Sequence, residues 1–260
     1  MIKPIPMSIP SSGFKGVILA LFFSSVLLAG CSSKVVKKEE PVGAEVSFQK
    51  GMASYEQGAY EEAEASFKAV MEDYPLDSYA VDAILMLADT YYADEKYDDA
   101  SAYYTTFYTF HPAHPKAPYA LFQKGMGHLK EVLSVDRDQA QTRKALFAFE
   151  DLTRNYPESA YSRKAEELMI FLKKRLAERE LYVGEFYFKT KNFKGALLRF
   201  AFILKDYPDT GLADKALYYI GESYTRLGEK DLAKGAFSTL ITEFPKSPFV
   251  NSAKYRLNEG

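Results

Sequence analysis

An all-α fold, a solenoid of paired helices with one long central helix, is predicted by three regularities of this chain. A ring-bearing residue before proline closes five related segments, at Tyr74-Pro75, His111-Pro112, Tyr156-Pro157, Tyr207-Pro208 and Phe244-Pro245. Proline cannot continue a helix, so each pair marks a stop. Twelve residues before each proline lies an alanine (Ala63, Ala100, Ala145, Ala196, Ala233), and four residues after each alanine a large ring (Phe67, Tyr104, Phe149, Phe200, Phe237). Finally, residues 159–189 contain no helix breaker, which predicts a helix about twice the length of its neighbours.

The first element precedes the repeats. Lys3 and Lys15 are followed by an apolar run, Val17 to Ala29, and by Leu28-Ala29-Gly30-Cys31. A basic start, a short apolar core and small residues before a cut form a secretory signal. At 1.5 Å per residue, thirteen apolar residues cross only about two-thirds of a bilayer core. Closure on the only cysteine of the chain resembles a bacterial lipoprotein signal. That resemblance implies removal of residues 1–30 and modification of Cys31 by an S-diacylglycerol and an N-acyl chain such as palmitate. One acyl chain holds a protein weakly, whereas several give lasting attachment. Ser32, where an aspartate would favour inner-membrane retention, resembles the pattern sent to the outer membrane of Gram-negative cells. Residues 31–43, with Ser32, Ser33, the Lys34 to Lys38 basic run, Pro41 and Gly43, cannot build a core and are predicted to be a lipidated, flexible tether.

Composition narrows the possible functions. Lys3 and Lys15 are the only charged residues in 1–30, so the net charge of −2 becomes −4 after cleavage. That balance does not fit a general nucleic-acid binder. A single cysteine allows no internal disulfide. Tryptophan is absent, and 20 Tyr with 19 Phe supply the large packing faces.

The repeats share more than their ends. Gly51, Ala88, Gly184 and Gly221 lie twelve residues before their alanines, with rings three or four residues later at Tyr55, Tyr91, Tyr92, Tyr187, Phe188 and Tyr224. A small residue on one helix lets the next approach, and a ring fills the space beside it. The pattern resembles the tetratricopeptide repeat, whose period is about 34 residues. Successive stop prolines are separated by 37, 45, 51 and 37 residues. The 45-residue spacing predicts an inserted loop around Leu133 to Thr142. The 51-residue spacing predicts the long helix, with Leu168, Phe171, Leu172, Leu176, Leu181, Val183, Phe186 and Tyr187 as its buried stripe. Repeats one to three then occupy 44–158, and the long helix with repeats four and five occupies 159–260. An array of this kind is expected to present an extended concave surface.

The departures from a regular repeat carry a closer resemblance. His111-Pro112-Ala113-His114-Pro115, Val135-Asp136-Arg137-Asp138-Gln139, Asn155-Tyr156-Pro157-Glu158-Ser159, Phe171 to Ala177 and Asp206-Tyr207-Pro208-Asp209-Thr210 resemble, in order and context, the BamD family. These are lipoprotein subunits of the outer-membrane β-barrel assembly machinery. The resemblance spans about residues 44–250 and implies a periplasm-facing, lipid-anchored protein of the outer membrane. Implied partners are the periplasmic domains of BamA, unfolded outer-membrane β-barrel clients and other Bam lipoproteins. It places a client segment near Tyr74 and Tyr79, in the half 44–158. It matches Arg199 to the arginine that pairs with an acid of BamA, in the half 159–260. A guanidinium grips a carboxylate through two hydrogen bonds, which lysine cannot reproduce.

Other reactive-looking residues have simpler readings. His111, His114 and His128 lack a set of four zinc ligands at matched spacing, so helix ending and turn packing are expected rather than a metal. Asp136, Arg137 and Asp138 are expected to order the inserted loop. Glu61, Glu62 and Glu64 suit a helix start, and Lys173, Lys174 and Arg175 a solvated face. The sequence contains no Gly-x-Ser-x-Gly elbow, His-Glu-x-x-His helix or phosphate-binding Gly-rich loop. The chain is therefore expected to be a binding protein without cofactors, not an enzyme. Another periplasmic repeat lipoprotein, such as a type IV pilus pilotin, is the alternative, and the irregular spacings favour the first reading.

Overall fold

The structure is a computed structural model that describes residues 43–259. The signal, Cys31 and residues 31–42 of the tether lie outside the described residues. Eleven α-helices and no strand occur among the described residues. The first five pairs are α1 (Ala44–Glu56) with α2 (Tyr60–Asp73), α3 (Ser78–Ala93) with α4 (Tyr97–Phe110), α5 (Ala117–Lys130) with α6 (Ala140–Asn155), α7 (Ala160–Lys189) with α8 (Phe193–Asp206), and α9 (Ala213–Leu227) with α10 (Lys230–Glu243). A last helix, α11 (Val250–Glu259), closes the chain. Each helix packs on its sequence neighbours, as expected of a one-dimensional stack.

The stops act alike in all five pairs. Helices α2, α4, α6, α8 and α10 each end two residues before their proline. The intervening Tyr74, His111, Tyr156, Tyr207 and Phe244 share φ of −124° to −137° and ψ of 44° to 58°. Clash with the proline ring pushes the preceding residue out of the helical region. Its N–H still donates to the carbonyl four residues back, from Tyr74 to Val70 and from Tyr156 to Leu152 for example. The chain then restarts under side-chain caps: Asp77 accepts from the Tyr79 N–H at 2.9 Å, and Ser159 from the Tyr161 N–H at 3.1 Å.

Inside each pair, the alanine and the ring four residues on are buried. A Cβ added at Gly51, Gly184 or Gly221 would lie 2.5–2.7 Å from the ring of Phe67, Phe200 or Phe237, so those glycines are sites of close helix approach. Burial of each such ring is worth about 1.5–3 kcal/mol. The third pair obeys the same rule through Gly125, which faces Phe149. Its sequence offset differs because the inserted loop separates the two helices.

That loop runs from 131 to 139, and α6 begins at Ala140, so the expected loop is three residues shorter at its end. The Asp138 carboxylate accepts the Ala140 N–H at 2.7 Å and starts the helix early. Buried Gln139 donates to the Ser134 and Arg137 carbonyls and accepts from Thr142. Arg179 of α7 donates to the Val135 carbonyl at 3.0 Å and docks the loop.

The long helix has 30 residues and serves two cores. Ala165 and Leu172 pack with Leu121, Phe149 and Leu152, whereas Ala177 and Leu181 pack with Phe200, Ile203 and Ile220. Leu172, Leu176 and Leu181 of the expected stripe are buried, but Phe171 and Phe186 are exposed. Helical neighbours diverge by about 100°, so Phe171 and Leu172 cannot both face one seam.

Candidate functional site

Tyr74 and Tyr79 flank the turn from α2 to α3. Both are half-buried and pack on the core shared by α1 to α5. Tyr79 lies 5.1 Å, centroid to centroid, from Phe48 of α1. Its hydroxyl is held above the usual tyrosine range by partial burial and then by the Glu45 carboxylate. Between the two tyrosines, Leu76 is 100% exposed, an apolar side chain at the tip of an otherwise polar turn. At the next such turn, from α4 to α5, the last residue of α4, Phe110, is 73% exposed, while Phe107 packs on the rings of His111 and His114. Tyr156, in the turn from α6 to α7, donates to the Pro112 carbonyl at 2.7 Å. These three turns therefore lie at one end of the helix pairs, with Leu76 and Phe110 projecting there. Sequence reasoning missed both residues; the available signal was a large apolar residue within two positions of a stop proline.

Arg199 lies on α8. Its Nη1 donates to Glu180 of α7 at 3.0 Å, with the Arg199 side chain 44% exposed. That bond, above all, holds Arg199 more firmly protonated. Around it the surface is apolar: Leu198 is 74% exposed, and Phe202, four residues on, is also exposed. On α7, Tyr182 and Phe186 form a second exposed pair at the same spacing, on the side of that helix turned away from Glu180. Glu180 fixes the position of a guanidinium that has five N–H donors, so an external acid can still be gripped. A positioned arginine beside an exposed phenylalanine and an exposed leucine has the composition of an interface core.

The two surfaces stand on different helix pairs. A further cluster, Asp98, His128 and Glu131, carries donors of the kind that bind metal. It lies at the other end of the helices from the turn of Tyr74 and Tyr79. No helix among the described residues is long and apolar enough to cross a membrane.

Known proteins share this chain's pattern. The outer membrane protein assembly factor BamD of Caulobacter vibrioides is 27% identical over 252 residues, covering 95% of this chain and 82% of its own length. The protein of the same name from Haemophilus influenzae is 30% identical over 225 residues, covering 83% and 86%. Among solved structures, a thermophilic TPR protein of Thermus thermophilus covers 83% of this chain and 99% of its own, at 16% identity and a TM-score of 0.37. The family model described as YfiO, outer membrane lipoprotein, matches residues 42–236, from the start of α1 into α10. The chain belongs to the YfiO family of outer membrane lipoproteins.

Proposed function

We propose that this chain is a lipid-anchored, periplasm-facing subunit of the outer-membrane β-barrel assembly machinery, held to the membrane through Cys31. It binds the periplasmic domains of BamA through residues 159–260 and segments of unfolded outer-membrane proteins through residues 44–158. Its work is binding and release without catalysis. The name borne by its relatives, outer membrane protein assembly factor, supports the general role.

The observation that carries the BamA contact is the α7–α8 face. There an arginine positioned by Glu180 stands on α8 beside exposed Leu198 and Phe202. Apolar side chains left in water at that density gain most by being covered. The client contact is supported by Leu76 and Phe110, which project from successive turns at one end of the array. Rings and aliphatic groups there suit the alternating apolar side chains of a β-strand before it folds.

Reversal of charge tests the reading. Breaking a desolvated charge pair costs about 2–5 kcal/mol, so Arg199→Glu is expected to cut BamA recovery in co-purification by about tenfold or more. Reversal of the partnered acid on BamA restores it. Unchanged recovery with the single substitution overturns the proposed contact.

A further inference from the structure

Where α4 begins and α5 ends, three side chains converge, one from α4 and two, three residues apart, from the end of α5. Asp98 is in the first turn of α4, His128 in the last turn of α5, and Glu131 caps the end of α5. Their ligand-type atoms lie within 4.8 Å of one another. Tetrahedral zinc with bonds of about 2.0–2.2 Å sets its ligand atoms about 3.3–3.6 Å apart, so the three side chains draw in by about an ångström to share one ion.

The surroundings favour a cation. His128 is 4% exposed, and its Nδ1 lies 3.1 Å from the Gln141 carbonyl oxygen of α6. An amide oxygen only accepts, so Nδ1 carries the proton and Nε2 presents a lone pair. Holding one ring nitrogen through a carbonyl so that the other can ligate is the usual second layer of a metal site. Nε2 now lies 3.2 Å from the Ser101 hydroxyl, a weak partner that can turn aside. Oε2 of Glu131 is buried and has no hydrogen-bond partner. Such an atom is costly to leave unmatched, and the carboxylate sits at a helix C-terminus, where negative charge is disfavoured. Against two carboxylates the nearest cation is Lys144, whose Nζ is 3.9 Å from Asp98. One long ion pair leaves a net negative charge in the cluster.

We infer that Asp98, His128 and Glu131 form a site for a divalent transition-metal ion, with zinc the best match to one imidazole and two carboxylates. Water fills the fourth position of a tetrahedral set. The ligands join the start of α4 to the end of α5, across the second and third pairs at the base of the inserted loop, so the ion is a staple rather than a catalyst. The sequence set His128 aside with the two turn histidines because its partners are about thirty residues away on one side and three on the other.

The test is calorimetric titration of zinc chloride into the purified, tag-free, metal-depleted full chain, paired with thermal unfolding. One zinc per chain is expected, with a rise in Tm. Glu131→Gln removes a ligand but also the unmatched buried charge. It should therefore unfold no lower than wild type without metal, yet bind zinc about tenfold or more weakly and gain no Tm from it. His128→Asn should lose binding likewise, whereas the double variant His111→Asn, His114→Asn should keep it. Absence of stoichiometric binding by wild type, wild-type affinity in Glu131→Gln, or loss of binding only in the His111 and His114 variant would each overturn the assignment.

Discussion

Asp89 holds the polar point of the first core. Tyr104 and Tyr119 donate to its Oδ1 at 2.6 and 2.8 Å, and burial raises its pKa while those hydroxyls and Lys116 partly oppose the rise. A carboxyl raised in the folded state favours folding below its unfolded pKa, about 3.9. That contribution is lost as pH climbs through the folded value. In Asp89→Asn the amide oxygen can still accept from both tyrosines, but nothing titrates. Urea unfolding from pH 4 to 8 should show wild type losing stability relative to Asp89→Asn as pH rises. A difference independent of pH would mean that Asp89 is unshifted. The aromatic positions of this core were legible in the sequence, since Tyr104 falls in the register shared by all five repeats. Its charged partner was not, because nothing in a linear pattern says which aspartate a buried hydroxyl will meet. Gly125 was hidden for a different reason: the inserted loop displaced it from the twelve-residue offset.

The elements were largely legible because proline, small residues and rings act locally. Helix α7 runs from Ala160 to Lys189, almost the expected breaker-free stretch, with Ser159 as its cap. Helix α11 was not foreseen: its ten residues bury only Ala253. Tertiary contacts hold it, chiefly Arg256, whose Nε and Nη2 grip Glu222 at 2.5 and 3.0 Å. The turns inside the pairs also hid a feature. Gly58 and Gly228 take φ of +74° and +81°, and at the matching positions Glu95 and Lys191 take +59° and +62°. Side chains in that left-handed region cost about 1–2 kcal/mol each. Lys191 is exposed, so Lys191→Gly should stabilise the chain. After the greater freedom of glycine when unfolded, the net gain is about 0.5–1 kcal/mol. A higher urea midpoint at unchanged m-value checks it.

Across the molecule, α7 is the common member. It bonds to the inserted loop through Arg179, to α6 through Lys173 and Glu150, to α8 through Glu180, and to α9 through Glu185 and Lys215 at 2.6 Å. Its first half belongs to one core and its second half to the next. Lys174→Pro, at an exposed position between them, should cost about 3 kcal/mol or more. Calorimetry should then resolve two transitions where the wild type shows one. A single transition merely moved to lower temperature would show that the cores are coupled by other routes. An unbroken rod through both cores leaves the chain no joint at its middle. The two cores are thereby spaced like two marks on a ruler, by the rise of one continuous helix.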